Sequence, residues 1–383
     1  MLFRSGKEMK KRLVSVLCAV AVLSTMLVGC SGGSGDKSDK ASSDSKSENV
    51  MEGDVYKIIP EGDLVVGFTS GSSGTSWRDQ MIDDFKEVAE EYKADGRLKD
   101  YKIVNNTTNG DATEQANIIR DFTADPDVNI IIVDANDSTA LNEAIAEAQD
   151  AGKLVVIADT GCDAPGALNV QLDHTAWMKK NAEFIATALD GKGKLINING
   201  LDGNPADNAR DKGLQEVLEE NPDLEVVQKA SGGWDQTQAK TACAQILSTT
   251  KDIDGIITQD GMAYGCLSAC EDAGILPKAM IGDPGVAFFQ EWKKLMDKGA
   301  DFQACAQPNP PGIAASALRI AVNMAEGKEL DESKLDGNVY YYQVQSFYTQ
   351  DNFDDAMKLL DGKSDDYLLD EWFDEDGVQA LFK

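Results

Sequence analysis

The sequence predicts an α/β protein of two lobes, each with a parallel sheet flanked by helices. From Leu64 onward, short β-rich apolar runs alternate with longer amphipathic segments, which is the pattern of parallel sheets covered on both faces. Residues 51–383 are enough for two domains of ordinary size. Two sheets of about five or six strands fit this length better than one of about eleven.

The predicted strands are short runs rich in apolar and β-branched residues, and the first is Leu64-Val65-Val66-Gly67-Phe68. The strands cover residues 64–68, 101–105, 129–134, 154–158, 194–199, 224–229, 254–259, 279–282, 302–306 and 339–348. Apolar residues recur at helical spacing between them, starting with Trp77, Met81 and Phe85. The predicted helices cover residues 77–92, 113–122, 139–151, 176–189, 208–219, 236–248, 262–273, 288–298 and 313–325, with two acidic helices within 351–383.

Polar side chains repeatedly follow the predicted strands. Turns favour Asp and Asn, and that explanation is enough for any single position. In an open parallel sheet, however, ligands bind outside the carboxyl ends of the strands, so many polar ends on one edge favour a ring of binding groups. These residues are Thr69, Ser70, Asp134, Asn136, Asp159, Thr160, Asn199, Gln259, Asp260, Asp283, Gln307 and Asn309.

The N-terminal segment has the order of a secretory signal. A basic start precedes an apolar run over residues 13–28, and the run ends in Leu27-Val28-Gly29-Cys30, which resembles a bacterial lipobox. A retained transmembrane helix is the alternative, but the run is shorter than the roughly 20 residues that span a bilayer. We predict a signal peptide over residues 1–29, lipidation of Cys30 and a flexible Ser-, Gly- and Lys-rich tether over 30–60, with the protein lipid-anchored on the extracytoplasmic face of the cell membrane.

Composition limits the class of ligand. The formal net charge is -30, and nucleic-acid binding depends mainly on Lys and Arg, so the sequence predicts no nucleic-acid partner. A field of this sign suits neutral or cationic soluble ligands.

Metal and enzyme motifs were weighed and give no site. Cys266 and Cys270 lie four apart on a predicted helix, but zinc needs about four ligands and the sole histidine, His174, is far away in sequence. The Gly-rich segment 67–74 lacks G-x-G-x-x-G, and Met357 stands where a phosphate-binding loop before Gly362-Lys363-Ser364 needs glycine. We predict no catalytic residue, no metal and no cofactor.

Three segments carry a family pattern: GLDGNPADNAR at residues 200–210, ITQDGMAYG at 257–265 and QPNPPG at 307–312. In this order and spacing, residues 64–348 resemble the sugar-binding proteins of bacterial ABC importers, the ribose-binding-like group with the type I periplasmic binding protein fold. The resemblance implies a three-stranded hinge between the lobes. It assigns residues 61–172 and 308–335 to the N-terminal lobe, 173–307 and 336–350 to the C-terminal lobe, and 351–383 to a helical extension.

The resemblance also implies a set of binding residues. Trp77 and Trp234 match aromatics that cover the faces of a sugar ring, although both also fit as core tryptophans. Arg210 matches an arginine that donates to ring hydroxyls, and its alternative is a surface ion pair. The remaining polar pocket groups are Asp159, Gln259, Asp283 and Gln307, with Asn136, Asp137, Asp260 and Asn309 as second choices. His174 follows the first hinge crossing closely enough for a rim contact, but a structural role is favoured for it.

The sequence departs from ribose binders at two places. A single aromatic, Trp77, follows residues 73–76 where ribose binders carry two, and Thr160 follows Asp159 where they carry an arginine. The identity of the sugar therefore stays open among pentoses, hexoses and small disaccharides. The implied partners are a sugar, an ABC permease with its ATPase and the membrane, with the protein a monomer. A sensory module for a chemoreceptor or kinase and a secreted glycosidase are the alternatives.

Overall fold

The computed structural model of the chain describes residues 50–383 apart from residues 53 and 109. The predicted signal peptide, Cys30 and residues 31–49 of the predicted tether lie outside these described residues. Among the residues that are described, no helix is both long and apolar enough to cross a membrane.

The described part of the chain contains strands and helices in regular alternation. The strands are β1 (Val50–Glu52), β2 (Val55–Lys57), β3 (Val65–Ser70), β4 (Asp100–Ile103), β5 (Ile130–Asp134), β6 (Leu154–Asp159), β7 (Leu168–Leu172), β8 (Lys192–Asn199), β9 (Asp223–Ser231), β10 (Gly255–Ile257), β11 (Ala279–Gly282), β12 (Gln303–Ala306) and β13 (Val339–Tyr342). The α-helices are α1 (Ser76–Ala94), α2 (Ala112–Ala124), α3 (Asn142–Asp150), α4 (His174–Ala188), α5 (Pro205–Glu220), α6 (Gln236–Thr249), α7 (Ala263–Ala273), α8 (Val286–Asp297), α9 (Ile313–Ala325), α10 (Phe353–Leu360) and α11 (Glu375–Gln379).

Two parallel sheets organise these elements, which confirms the predicted α/β fold class. The first sheet has six strands in the order β13-β7-β6-β5-β3-β4, and the second has five in the order β12-β11-β10-β8-β9. Every residue of β5 is buried, as expected for a strand with helices on both faces. Helices α1 and α9 pack on one face of the first sheet, and α2 and α3 pack on the other.

Polar residues in the loops after strands begin several helices. The side chains of Thr75, Asp111, Asp173, Asn204 and Asp235 each accept a hydrogen bond from a backbone N–H in the first turn of the helix that follows. Such caps satisfy donors that have no partner within the helix. Each loop therefore turns the chain at the carboxyl edge of its sheet, where the polar side chains gather.

The chain passes between the two sheets three times before residue 350. It crosses at Asp173, after which α4 packs on α5 and β11 of the second lobe. It returns through residues 307–312 to α9, which packs on α1 and β6 of the first. After β13 it crosses again through residues 343–347, and Tyr348 then pairs with Ala306 at the edge of the second sheet. These crossings form a hinge of three segments.

The structure differs from the predicted boundaries in three places. Val55 and Ile58, assigned to the tether, are buried in the first lobe, because their apolar side chains join the core under α1. Residues 163–173 contain no predicted strand, yet residues 168–172 form β7, which pairs with β6. Within 336–350, assigned to the second lobe, β13 instead joins the first sheet beside β7.

The predicted helical extension over residues 351–383 is divided between the lobes. The apolar side chains of Phe353, Ala356 and Leu360 in α10 pack into the second lobe. Those of Val378 and Leu381 pack into the first. The chain therefore crosses a fourth time between these helices.

Candidate functional site

In the first lobe, two buried carboxylates share one arginine. Arg78 Nη1 lies 2.8 Å from Asp134 Oδ2 and 3.4 Å from Asp159 Oδ2. Ser70 Oγ donates to the same oxygen of Asp134 at 2.5 Å. Burial raises the pKa of Asp134 to about 6, with the Arg78 charge opposing this shift and Asp159 adding to it.

Sheet order explains why these carboxylates meet. Asp134 and Asp159 are the last residues of β5 and β6, which are adjacent parallel strands. Asp159 has a left-handed backbone with φ of 63°, a conformation that costs about 1–3 kcal/mol in a residue other than glycine. This conformation turns the chain at the strand end while the carboxylate stays buried.

In the second lobe, Arg210 is the central cation. It is only 1% exposed, its Nη1 lies 2.7 Å from Asp260 Oδ2, and the same nitrogen donates to Gln259 Oε1 at 3.3 Å. Its guanidinium lies over the ring of Trp177, 4.5 Å from the ring centroid. The alternative of a surface ion pair with Asp207 or Asp211 is wrong, because Arg210 is buried and pairs with Asp260, while Asp211 pairs with Lys229.

Trp234 is positioned by a close backbone contact. A Cβ atom on Gly200 would lie 2.1 Å from Trp234 Cε2, so the indole lies directly against a residue that has no side chain. Trp234 Nε1 donates to Gln259 Oε1 at 2.9 Å, and the residue has a positive φ of 54°. Arg210 lies 5.9 Å from the Trp234 ring centroid. The indole, the amide and the guanidinium therefore form one unit.

Trp77 and the hinge connect the two halves. Trp77 Nε1 donates to the backbone oxygen of Asn309 at 2.7 Å, and Arg78 covers one face of the Trp77 ring at 4.6 Å. Asn309 Nδ2 in turn donates to Asp260 Oδ2 at 3.0 Å. The second hinge segment thus contacts the first-lobe indole and the second-lobe carboxylate.

Charges from both lobes act on the pKa of Asp159. Burial raises the pKa of Asp159, the charges of Arg78 and Arg210 oppose this, and Asp260 adds to it. Arg210 and Asp260 belong to the second lobe and Asp159 to the first, so the charges interact across the space between the lobes.

Three predicted residues have contacts that hold the local fold. Asp283 accepts from the backbone N–H groups of residues 262–264 at the start of α7, at 2.7–3.2 Å. Gln307 Oε1 accepts from Asn181 at 3.0 Å. Asp137 accepts from the N–H groups of Thr139 and Ala140, as in a turn. Burial raises the pKa of Asp283 to about 7.

Several buried polar atoms around the arginines have no hydrogen-bond partner among the described residues. Native proteins satisfy the large majority of such atoms, so a group of them at one place indicates a site for a polar ligand. They are Asp134 Oδ1, Asp159 Oδ1, both amide atoms of Asn136, both ring nitrogens of His174, Arg210 Nε and Asn309 Oδ1.

Sequence reasoning misses two site residues, Arg78 and Trp177, and Trp177 lies within a predicted helix. Asp134 belongs to the predicted ring of polar strand ends, but not to the set that the resemblance implies. Arg78 carries a signal in hindsight, because it follows Trp77 directly and a site rich in buried carboxylates requires a cation. Ribose binders carry an arginine directly after the aspartate that matches Asp159, whereas this chain has Thr160 there. Arg78 supplies a guanidinium beside Asp159 instead.

Among the described residues, no group of three or more His, Cys, Asp or Glu side chains is arranged to hold a metal ion. The buried Asp134 and Asp159 carboxylates have Arg78 as their cation.

Comparison with known proteins gives relatives that bind small hydroxylated molecules. The xylitol-binding protein of Mycolicibacterium smegmatis is 26% identical over 91% of this chain and 91% of its own length. The ribose import binding protein of Bacillus subtilis is 24% identical over 54% of this chain and 67% of its own length.

Solved structures share the fold. The solute-binding protein of an ABC transporter from Thermobispora bispora aligns with a TM-score of 0.72 and 24% identity, covering 83% of this chain and 94% of that one. The family model described as a periplasmic binding protein domain matches residues 66–329. With its two parallel sheets, its hinge of three segments and this match over most of its length, the chain belongs to the periplasmic binding protein family.

Proposed function

We propose that this chain is the extracytoplasmic solute-binding protein of an ABC transporter, which captures a sugar or sugar alcohol between its lobes and delivers it to a permease. The group of buried polar atoms without protein partners carries this proposal. Carboxylate oxygens accept from hydroxyl groups, and a guanidinium donates to them, so both lobes offer complementary groups to a polyol.

The charges favour a neutral ligand. Asp134 and Asp159 are neutralised in part by Arg78, and Asp260 by Arg210, so an anionic ligand would meet nearby carboxylates. An uncharged polyhydroxyl compound can bond to both kinds of group without a charge penalty. The relatives named for xylitol and ribose support this class.

Capture follows from hinged lobes. Contacts made from both lobes exist together only when the lobes are close, so the ligand shifts the population toward the closed form. We propose that a permease with its ATPase recognises that form, and that the protein acts as a monomer held to the membrane through lipid on Cys30. No reaction is assigned to it.

A thermal-shift screen tests the proposal. The purified protein is heated with xylitol, D-ribose, D-allose, myo-inositol and a panel of further pentoses, hexoses and disaccharides. A sugar present at 100 times its Kd adds about 2.7 kcal/mol of stability, which raises the Tm by roughly 5 °C. Calorimetry should then show one site per chain. A panel in which no sugar or sugar alcohol raises the Tm contradicts the proposal.

Transport itself needs a second measurement. The candidate permease and ATPase are reconstituted in liposomes, and the binding protein is added with and without the sugar from the screen. We expect ATP hydrolysis to rise only when the binding protein and the sugar are both present. Tight sugar binding without such stimulation would favour the sensory module over transport.

A further inference from the structure

The segment between α10 and α11 contacts both lobes, and we call residues 365–373 the C-terminal strap. On the second lobe, Val286 N donates to Tyr367 O at 3.1 Å, and Leu369 N donates to Pro284 O at 2.6 Å. Leu368 also pairs with Gly285 as in an antiparallel sheet. The strap is therefore attached to the loop that follows β11.

On the first lobe, the side chain of Gln80 in α1 bonds to both backbone groups of Leu368. Gln80 Nε2 donates to Leu368 O at 3.0 Å, and Leu368 N donates to Gln80 Oε1 at 3.0 Å. Phe373 N donates to Ser316 Oγ of α9 at 3.1 Å. The backbone of Leu368 thus bonds to Gln80 of the first lobe and lies beside Gly285 of the second.

The strap also contacts two of the three hinge segments. Both oxygens of Asp370 accept from Gly312 N, at 3.0 and 2.9 Å, in the second segment. Glu371 accepts from Gln345 N at 2.8 Å and from Ser346 Oγ at 2.9 Å in the third. A Cβ atom on Gly312 would lie 2.5 Å from the Trp372 ring, so the indole packs directly on the hinge.

We propose that the C-terminal strap is a clamp that positions the hinge and stabilises the close arrangement of the lobes, so that Gln80, Asp370 and Glu371 tune ligand affinity without touching the ligand. The proposal rests on the proposed capture function. Hydrogen bonds from one strap to both lobes oppose separation of the lobes. When the competent form becomes less populated, the apparent Kd rises in inverse proportion.

A tail that merely adds packing would behave differently. The apolar anchors Val378 and Leu381 lie on the first lobe alone, so they stabilise the fold without joining the lobes. Gln379 offers a matched control, since its amide donates to Asn323 and Glu375, both outside the second lobe.

The test uses the full chain without sugar first, so that it does not depend on a known ligand. Hydrogen–deuterium exchange is measured for wild type, Gln80→Ala, Glu371→Gln and Gln379→Ala. We expect the first two variants to exchange at least about threefold faster in the loops facing the other lobe, residues 71–74 and 200–203, with Gln379→Ala unchanged there. If these loops exchange at the same rate in the wild type and in all variants, even where the Tm differs, the proposal that the strap clamps the lobes is overturned.

Affinity is the second readout, with the sugar that gives the largest Tm shift in the screen as the probe. Gln80→Ala and Glu371→Gln should raise Kd about tenfold, mainly through faster dissociation, whereas Gln379→Ala keeps the wild-type Kd. A lower Kd in the two strap variants would mean that the strap opposes closure, and would overturn the proposal. If no sugar binds the wild type, the capture function fails, while the exchange result still decides whether the strap joins the lobes.

Discussion

At the residue scale, two arginines pair with the carboxylates of the candidate site. Arg78 lies between the buried Asp134 and Asp159, and the buried Arg210 pairs with the half-buried Asp260. A buried charge without its partner is costly, so we expect each arginine to contribute to stability as well as to ligand binding. The carboxylate oxygens that remain free of protein partners are then available to hydroxyl groups of a ligand.

Arg210→Ala should weaken sugar binding by about 100-fold or more. Truncation leaves the half-buried Asp260 without its cation, and loss of one partner of such a pair costs about 2–5 kcal/mol. Arg210→Lys keeps the charge but not the planar donors, so it should recover stability more than affinity. Calorimetry and thermal unfolding measure the two effects. Arg120→Ala is the control, because Arg120 makes an exposed ion pair with Glu147. Unchanged affinity in Arg210→Ala would remove Arg210 from the site.

Asp134 should make sugar affinity depend on pH. Its pKa is raised to about 6, so acidification through that value protonates it and weakens its pairing with Arg78. We expect Kd to rise as pH falls from 8 to 5. His174 does not explain such a change, since burial holds its pKa well below the usual value.

The stability of the ligand-free protein should follow the opposite trend. Because the folded-state pKa of Asp134 is raised, its contribution to stability is full below the usual Asp range and is lost as pH rises through about 6. Calorimetry and urea unfolding at several pH values, compared with Asp134→Asn, separate the two trends. In Asp134→Asn, both the sugar Kd and the unfolding free energy should change less with pH. Equal slopes in the variant and the wild type would exclude Asp134 as the titrating group.

At the element scale, periodicity predicted most helices and strands, but not β1, β2, β7 or the placement of β13. Fully buried strands such as β5 are apolar throughout, and the sequence marks them clearly. Residues 163–173 contain Pro165 and Gly166, which indicate a turn, so the short strand after them was hidden. The placement of β13 depends on pairing with β7, a long-range contact that no local pattern encodes.

The candidate site was predictable to a similar degree. Strand-end position and family resemblance pointed to Arg210, Trp234, Gln259 and Asp260, which contact one another in the second lobe, and to Asp159, which pairs with Arg78 in the first. Single-residue patterns do not reveal which polar end caps a helix and which faces the interlobe space. The side chains of Asp283 and Asp137 illustrate this, because both oxygens of Asp283 and the cap bonds of Asp137 are explained by backbone N–H groups.

Gly200 provides a test of element geometry. Gly200→Ala would place a methyl carbon 2.1 Å from Trp234 Cε2, which is too close for any contact. The indole ring must therefore move, at a cost in energy. Overpacking of this kind costs about 1–3 kcal/mol, so we expect Kd to rise about tenfold or more. In a Trp234→Ala background, the same glycine substitution should have no further effect on Kd. Additive losses in the double variant would mean that Gly200 acts through another residue.

At the scale of the whole molecule, the chain crosses between the lobes four times, three times in the hinge and once in the C-terminal strap. The strap meets α1 beside a pair of acidic side chains. Burial and the neighbouring Asp370 raise the pKa of Asp84 to about 9, and burial also raises the pKa of Asp370. The charges of Asp83 and Glu87 act in the same direction on Asp84. At neutral pH, Asp84 is therefore protonated beside the strap.

Alkaline conditions should loosen this contact. A raised folded-state pKa means that the contribution of Asp84 to stability is full below the usual Asp range and is lost as pH rises through about 9, where two carboxylates repel each other. Urea unfolding at pH 7 and pH 9.5 should show a larger loss of unfolding free energy for wild type than for Asp84→Asn. Asp355→Asn is the control, since Asp355 is exposed and pairs with Lys358 in α10. An equal alkaline loss in wild type and Asp84→Asn would show that this carboxyl pair does not hold the strap to α1, and that the hydrogen bonds of Gln80 hold it independently of pH.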